Sequence, residues 1–381
     1  MRISSQPHLK INKHLAVTPK ATKGRGRALT LAALAALALG LGACAPADTT
    51  QPAPSAEKPA PSAEKTAATP AGPLTPVRFT MSWTANNNQT GVFVAKHFGW
   101  YKEAGIDLKV LPYSGQRPTE VINAGAADAG DTNTEAVLNA AINHQNVVMV
   151  HNTQQKPSYG VLTLESANLQ HAKDLDGKKY ADWGSGTIRQ MVTDMIKNDG
   201  GTGNFESVNL AGPDAYTALN EGQVDFTTGF MTVEGERAKL AGHPYRYLPF
   251  EDFGVPANPA DIGIVLSQKF IDEHSDAARA FTQATQRGYD WALKNPEEAA
   301  KILVDENPDA KLDLDLTIRT QKQLSGTYWP DAQGVTGHAN LEKWQAYADY
   351  MVEKGLLKDA TGKVQSEKLD VKTLVRNDFL Q

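Results

Sequence analysis

The chain has 381 residues and a mass of 41.1 kDa, with 38 lysines and arginines against 43 aspartates and glutamates. Residues 1–43 hold seven basic residues and no acidic one, which leaves 31 basic against 43 acidic residues in 44–381, a formal charge of −12. A protein this acidic is unsuited to nucleic-acid binding, which needs clustered cations against the phosphates. Its hydrophobic content of 41% excludes a multi-span membrane protein, and its single cysteine excludes an internal disulfide and a cysteine-cluster metal site.

The N-terminus has the features of a secretory signal. Residues 28–43 form an uncharged run of sixteen residues after a basic start, shorter than the roughly 20 that a membrane-spanning helix needs. The run ends in Leu-Gly-Ala-Cys at 41–44, which resembles a bacterial lipobox. We therefore predict a lipoprotein signal peptide over 1–43, lipidation of Cys44, and anchoring to a membrane on its extracytoplasmic side. The alternative is a plain signal peptide followed by an incidental cysteine.

Residues 44–74 predict a disordered tether between the anchor and a folded body. They are nearly all Ala, Pro, Ser, Thr, Glu and Lys, and the heptapeptide PAPSAEK at 52–58 is repeated at 59–65. A segment of this composition has too few apolar side chains to form a core.

From residue 75 onward, short apolar segments alternate with longer amphipathic ones. The pattern predicts strands at 77–82, 106–111, 127–130, 147–151, 179–183, 207–210 and 224–228, and helices at 91–103, 118–124, 134–144, 187–199 and 214–221. A helical tail follows, at 275–293, 296–306, 315–323 and 341–354. Alternating strands and helices predict an α/β fold with mainly parallel sheets. A body of about 307 residues suits two lobes with a ligand cleft between them.

The sequence contains none of four common catalytic motifs. The chain lacks G-x-S-x-G, a Walker A sequence, G-x-G-x-x-G after a strand, and H-E-x-x-H, and the seven histidines of the body have no close ligand spacing. We therefore predict a binding protein rather than an enzyme, with no catalytic residue, no metal and no cofactor. The sequence WGSGT at 183–187 leads into a predicted helix; it is either a ligand contact, through Trp183 and backbone N–H groups, or an ordinary strand-to-helix turn.

Two segments carry a resemblance to a known family. SWTANNNQTG at 82–91 and GWYKEAGID at 99–107 resemble the opening of ABC-transporter binding proteins for thiamine pyrimidine precursors. Their superfamily includes sulfonate, taurine and nitrate binders and the thiamine-pyrimidine synthases. Weaker matches follow in order, including DLDGKKY at 174–180, FGVP at 253–256 and NPEEA at 295–299, so the resemblance covers roughly 76–358. Three positions depart from the family pattern: Ser82 replaces Asp, Ala85 replaces Pro and Gln89 replaces His.

The resemblance implies a two-lobed type II periplasmic-binding-protein fold with a helical C-terminal tail. Lobe 1 is expected at 75–168 plus 259–381 and lobe 2 at 169–258, with hinge crossings near 165–172 and 254–262. The synthase branch relies on a cysteine-rich motif and a reactive histidine, and the body of this chain has no cysteine.

Ten residues are expected to contact the ligand, and they combine flat aromatic faces with a few polar groups. They are Trp83, Asn86, Asn88, Gln89, Glu135, Trp183, Gly184, Ser185, Tyr216 and Glu234. Glu234 suits an aminopyrimidine, because a charge-assisted pair is stronger than a neutral hydrogen bond. The alternatives are that Trp83 belongs to the core, Tyr216 to a helix surface, Glu234 to a solvated helix end, and the Asn-Asn-Asn-Gln run to a plain polar turn.

These observations predict a monomeric, lipid-anchored solute-binding protein that delivers a small aromatic heterocycle to an ABC permease and its ATPase subunits. A sulfonate or nitrate carrier is one alternative, for which Lys156 or Arg189 would hold the anion. A riboflavin-type ligand, a pyrimidine-modifying enzyme and a sensory binding protein without a transporter are the others.

Overall fold

The computed structural model describes residues 72–210 and 212–380. The predicted signal peptide, the lipidation site Cys44 and nearly all of the predicted tether lie outside the described residues. Within the described part of the chain, no helix is both long enough and apolar enough to cross a membrane.

The described residues form two five-stranded sheets, one for each lobe. The first has the order β2-β1-β3-β10-β4 and the second the order β7-β6-β8-β5-β9. The strands are β1 Thr75–Thr80, β2 Ile106–Val110, β3 Ala129–Thr132, β4 Val147–His151, β5 Tyr159–Leu164, β6 Lys179–Asp182, β7 Glu206–Asn209, β8 Phe226–Phe230, β9 Tyr245–Leu248 and β10 Gly263–Ser267.

Both sheets are mixed: in each, four of the five strands run in one direction, as the prediction of mainly parallel sheets expects, and a single strand runs against them. In the first sheet β10 runs antiparallel to both its neighbours, β3 and β4, and in the second β5 runs antiparallel to β8 and β9. The physical reason is the path of the chain. The chain leaves β4 at the end of the first sheet that faces the second lobe, and it enters β5 at the end of the second sheet that faces the first lobe. The same happens in reverse between β9 and β10. The entering strand must therefore run against the others.

The crossings between the sheets are residues 152–158 and 249–262. Strand β5 already belongs to the second sheet, ahead of the start of lobe 2 that the sequence predicts at residue 169. Two hydrogen bonds join the crossings: the backbone N–H of Gln154 donates to the carbonyl of Ile262, and the side-chain amide of Asn152 donates to the carbonyl of Pro259.

Twelve α-helices occur among the described residues. They are α1 Thr90–His97, α2 Trp100–Glu103, α3 Pro118–Asn123, α4 Thr134–Ile142, α5 Gly186–Asn198, α6 Pro213–Asn220, α7 Glu236–Leu240, α8 Gln268–Glu273, α9 Ser275–Lys294, α10 Pro296–Glu306, α11 Leu314–Gln323 and α12 Leu341–Glu353. The helix predicted at 91–103 is split at Gly99, whose φ of +73° is the left-handed conformation that ends a helix.

The apolar core covers both faces of the first sheet. Helices α1, α9 and α10 pack on one face, with Val77, Phe79 and Tyr289 buried between them. On the other face, one continuous cluster joins Val137 of α4, Met195 of α5 and Trp344 of α12. Helix α12 therefore contributes to a core that residues of both lobes share, which keeps the loops of the two sheets close to each other.

Candidate functional site

The candidate site residues lie where parallel strands end. The loop at 82–89, called here the Trp83 loop, follows β1, and Glu135 follows β3. In the other lobe Trp183 follows β6 and Glu234 follows β8. Ligands of open α/β sheets bind beyond the carboxyl ends of the strands, so the chain places chemistry-bearing residues from both sheets at this side of the fold.

Trp83 is a surface residue, not a core residue. Its side chain is 62% exposed, and its ring centroid lies 5.3 Å from that of Tyr113, at an interplanar angle of 41°. Tyr113 belongs to the loop after β2, and sequence reasoning missed it; its position just beyond a strand end was the available signal. An exposed tryptophan braced by a tyrosine is a preformed aromatic face.

A second aromatic pair lies in the other lobe. Trp183 is 39% exposed, and its ring makes an edge contact with Tyr216 at 5.8 Å between centroids. The indole nitrogen donates to Thr227 Oγ1 at 3.2 Å, and the Tyr216 hydroxyl donates to the carbonyl of Thr228. Gly229 makes this packing possible, because a Cβ there would lie 2.5 Å from the Tyr216 oxygen.

Glu234 lies close to this second pair. It belongs to a single π-helical turn, Met231–Gly235, directly after β8. Its Oε2 accepts from the backbone N–H of Phe230 at 3.0 Å, and burial raises the pKa of its carboxyl. Burial raises the pKa of Tyr216, and the charge of Glu234 raises it further. Trp183, Tyr216 and Glu234 therefore form one group that combines aromatic faces with a carboxylate.

The polar side chains of the Trp83 loop differ in whether the protein already satisfies their hydrogen bonds. Asn86 and Gln89 bond within the loop: Asn86 Oδ1 accepts from the N–H of Asn88, and Gln89 Oε1 accepts from the N–H of Asn86. Asn87 donates to Gln321 of α11. The side chain of Asn88 has no hydrogen-bond partner among the described residues. Of these amides, Asn88 is therefore the one whose side chain remains available to a ligand.

A buried carboxylate lies beneath the same loop. Asp131 of β3 is 0% exposed, and it accepts from the Ser82 N–H at 3.0 Å and from Gln89 Nε2 at 2.9 Å. Burial raises its pKa. Sequence reasoning missed Asp131, because a lone aspartate at a strand end carries no motif.

Glu135 contacts protein groups from two other elements. Its Oε1 accepts from the Thr187 hydroxyl at 3.2 Å, which joins the start of α4 to the start of α5. Tyr347 of α12 lies near the same carboxyl, and burial raises the pKa of Glu135. Glu135 lines a groove of about 600 Å³ along α4 that also includes Arg117, Asn139 and Lys358. The two tryptophans do not line this groove.

Gly184 and Ser185 shape the turn into α5. Gly184 has a φ of +84°, which favours glycine, and its N–H donates to Asp182 Oδ1 at 2.7 Å. Ser185 caps the helix, since its Oγ accepts from the N–H of Ile188. These bonds give both residues a structural role in presenting Trp183.

The two cations considered for an anionic ligand differ in their surroundings. Arg189 pairs with Asp182 at 2.7 Å, and Lys156 is exposed on the first crossing. Among the described residues, no three histidine, cysteine, aspartate or glutamate side chains form a group that could hold a metal.

A second buried carboxylate lies where the two crossings between the sheets meet. Oδ2 of Asp261, on the second crossing, accepts from the backbone N–H groups of Ser158 and Tyr159 and from Gln154 Nε2. Burial raises the pKa of Asp261 to about 7, and the nearby Glu251 contributes to the shift. The two crossings are therefore joined by a titratable group.

Comparison with known proteins identifies a family and several relatives of this chain. The family model described as NMT1/THI5 like matches residues 86–299. The formylaminopyrimidine-binding protein of Halalkalibacterium halodurans is 23% identical over 283 residues, covering 73% of this chain and 85% of that protein. The riboflavin-binding protein RibY of Chloroflexus aurantiacus is 27% identical over 347 residues, covering 88% of this chain and 91% of that protein.

Other relatives are named as enzymes. The 4-amino-5-hydroxymethyl-2-methylpyrimidine phosphate synthase of Legionella pneumophila is 24% identical over 248 residues, covering 62% of this chain and 76% of that protein. Among solved structures, the periplasmic aliphatic sulphonate binding protein of Escherichia coli superposes with a TM-score of 0.57 at 17% identity, covering 79% of this chain and 92% of that one. This likeness confirms the two-lobed α/β fold.

Proposed function

Because the chain belongs to the NMT1/THI5-like family and has the fold of periplasmic binding proteins, we propose that it is an extracytoplasmic solute-binding protein of an ABC importer. Its ligand is a small, flat, aminated heterocycle of the thiamine pyrimidine-precursor type, held between the lobes. The protein acts as a monomer and passes this ligand to a permease that is driven by ATPase subunits.

The observation that carries the proposal is the pair of exposed tryptophans. Trp83 and Trp183 are 62% and 39% exposed, each follows a strand of a different sheet, and each is braced by a tyrosine. Single exposed apolar residues are common, but exposed apolar rings grouped together mark binding surfaces, and each tryptophan here forms such a group with its tyrosine. One flat face from each lobe is what an aromatic ring needs to be stacked on both sides when the lobes close.

Glu234 supports an aminated ligand over an anionic one. Its half-buried carboxylate forms no salt bridge within the described part of the chain, although the charge of Arg237 lowers its pKa from a greater distance. An exocyclic amine or a protonated ring nitrogen would supply a direct charged partner. An anionic ligand would instead need a free cation beside the aromatic groups. Arg189 is already paired with Asp182, and Lys156 lies on the first crossing, not in either of the loops that carry the tryptophans. This arrangement favours an aminopyrimidine over a sulfonate or nitrate.

A riboflavin-type ligand is the second candidate. A relative that covers 88% of this chain is named a riboflavin-binding protein, and stacked aromatic faces also suit a flavin ring. We propose no chemical reaction for the chain, although some relatives are named synthases, because its body has no cysteine and a binding role explains the exposed aromatic groups.

The proposal includes a lipid anchor at Cys44 and a disordered tether over 44–74. The basic start, the apolar run, the small residues and the single cysteine support it. Membrane fractionation tests this part alone: wild-type protein is expected with the membranes, and Cys44→Ser in the soluble extracytoplasmic fraction. A Cys44→Ser protein that stays with the membranes would contradict the anchor.

Ligand binding is tested by thermal-shift and calorimetric titration of the purified full chain. The probes are 4-amino-5-hydroxymethyl-2-methylpyrimidine, riboflavin, methanesulfonate and nitrate. A ligand at 100 times its Kd adds about 2.7 kcal/mol to the free energy of unfolding. We expect the pyrimidine to bind, and Trp83→Ala, Trp183→Ala and Glu234→Gln to weaken that binding.

The matched controls remove an exposed apolar and an exposed acidic side chain from the same lobe as Glu234. Leu240→Ala and Glu221→Gln are expected to keep wild-type affinity, since Leu240 is 50% exposed on α7 and Glu221 lies on the surface after α6. Stabilisation by nitrate or methanesulfonate alone, unaffected by Glu234→Gln, would refute the pyrimidine assignment and keep the transport role.

A further inference from the structure

The Trp83 loop is attached at both ends to one carboxylate. Asp131 Oδ1 accepts from the N–H of Ser82, at the start of the loop, and Oδ2 accepts from the Ser82 hydroxyl and from Gln89 Nε2, at its end. Trp83, the most exposed tryptophan of the described residues, lies directly after the first attachment point. One side chain therefore holds both ends of the segment 82–89.

The same carboxylate also orients the interior of the loop. Because Asp131 accepts the amide N–H of Gln89, the Gln89 carbonyl oxygen points to the N–H of Asn86. Asn86 in turn accepts from the N–H of Asn88. A chain of hydrogen bonds thus runs from Asp131 to Asn88, the loop amide whose own side chain has no partner among the described residues.

A neighbouring aspartate shows what is unusual about Asp131. Asp128, just before β3, also accepts from a backbone N–H of β1, that of Arg78, and it forms a salt bridge with the Arg78 guanidinium at 2.7 Å. Asp131 is fully buried and has neutral donors only. Burying a carboxylate without a cation is costly, so its place at the ligand end of the strand calls for a reason beyond joining β1 to β3.

We propose that Asp131 is a positioning residue of the ligand site. Its carboxylate fixes the Trp83 loop before the ligand arrives, and so holds Trp83 and Asn88 in the orientation that the ligand meets. This inference rests on the proposed function for its effect on affinity, whereas its effect on the loop can be measured without any ligand.

The test first replaces the Asp131 carboxylate by an amide. It then replaces the Gln89 amide by a carboxylate, so that the donor and the acceptor of this hydrogen bond are exchanged. Asp131→Asn places an amide NH₂ against a donor in either orientation, the NH₂ of Gln89 at one carboxylate position or the N–H of Ser82 at the other. We expect the Kd for 4-amino-5-hydroxymethyl-2-methylpyrimidine to rise about tenfold to a hundredfold, because unsatisfied buried groups are costly. Adding Gln89→Glu supplies an acceptor to that new amide, and the double variant is expected to return to within about threefold of the wild-type Kd.

The matched control is Asp128→Asn, the same substitution three positions earlier in the chain. It removes a carboxylate that joins the same two strands, so it is expected to lower the melting temperature while leaving the Kd unchanged. Hydrogen–deuterium exchange of the ligand-free full chain gives the second readout. Exchange in residues 82–90 is expected to accelerate in Asp131→Asn, and to keep its wild-type rate in Asp128→Asn and in the double variant.

The inference is overturned if Asp131→Asn raises the Kd no more than Asp128→Asn does, or if Gln89→Glu makes the loss worse instead of restoring binding. Unchanged exchange in 82–90 would overturn it even for a protein that binds no pyrimidine. A wild-type protein that fails to bind the pyrimidine refutes the proposed function alone. If Asp131→Asn does not fold, Ser82→Ala removes one donor to the same carboxylate and must show the same effects, in a weaker form.

Discussion

Asp261, the buried carboxylate that joins the two crossings, gives a prediction whose size follows from the structure. Burial raises its pKa from 3.8 to about 7. Between these values the folded protein holds a proton that the unfolded chain releases, so the free energy of unfolding falls as the pH rises. Each unit of pKa difference corresponds to about 1.4 kcal/mol. The free energy of unfolding is therefore expected to fall by about 4 kcal/mol between pH 4 and pH 7.

The perturbation is Asp261→Asn. All three donors, from Gln154, Ser158 and Tyr159, meet Oδ2, and no described group donates to Oδ1. An asparagine can therefore keep the three bonds through its carbonyl oxygen and direct its NH₂ towards the other position. It carries no proton that titrates. We expect the variant to match wild type near pH 4 and to be more stable above pH 7 by up to about 4 kcal/mol.

Urea unfolding of both proteins at intervals from pH 4.5 to 8.5 measures this difference. The stability of the variant minus that of wild type is expected to rise by about 1.4 kcal/mol per pH unit and to level off above pH 7. Asp107→Asn, on the exposed side of the edge strand β2, reports the effect of removing one surface charge. A difference for Asp261→Asn that stays constant over the whole range would refute the reasoning.

Three further predictions concern the two lobes. Gly229→Ala is expected to destabilise the protein by about 1–3 kcal/mol in urea unfolding, because its Cβ would lie 2.5 Å from the Tyr216 oxygen; Tyr216→Phe should recover part of the loss, and an unchanged midpoint would contradict the close approach. Thr187→Val removes the hydroxyl that binds Glu135 and is expected to cost about 1–2 kcal/mol in the same assay, whereas Thr187→Ser should cost less. Lys156→Gln should leave the Kd for the pyrimidine unchanged in calorimetry, because this lysine is exposed; a tenfold loss would revive the anion-carrier alternative.

Local patterns predicted most of the helices and the strands that precede them. The ends of α4, α10 and α12 fall within two residues of the predicted ones, because capping residues and apolar periodicity are local signals. Strands β5, β9 and β10 were missed. β5 and β10 lie inside sheets whose other strands come from distant parts of the chain, and strand pairing over such distances leaves no local trace.

The candidate site was only partly predictable for the same reason. Trp83 and Trp183 could be chosen because an aromatic residue beside a strand end is visible in the sequence. The hydrogen-bond partners of the polar side chains could not be predicted from the sequence. Asn86 and Gln89 bond within their own loop, and Ser185 caps a helix. The contact between Asp131 and the Trp83 loop exists only because β3 lies beside β1. This pairing brings the Asp131 carboxylate beneath Gln89, which is 42 residues away in sequence.

The two reversed strands have a consequence for how the chain folds during synthesis. β10 lies between β3 and β4, so the first sheet stays divided into two unjoined parts until residue 267 has been made. β5 likewise joins β8 to β9 and must wait for both. Each sheet thus depends on a strand whose neighbours are distant in sequence, which makes folding slow and non-local. A nascent chain of this kind remains unfolded for longer, the state in which a polypeptide can still be threaded across a membrane.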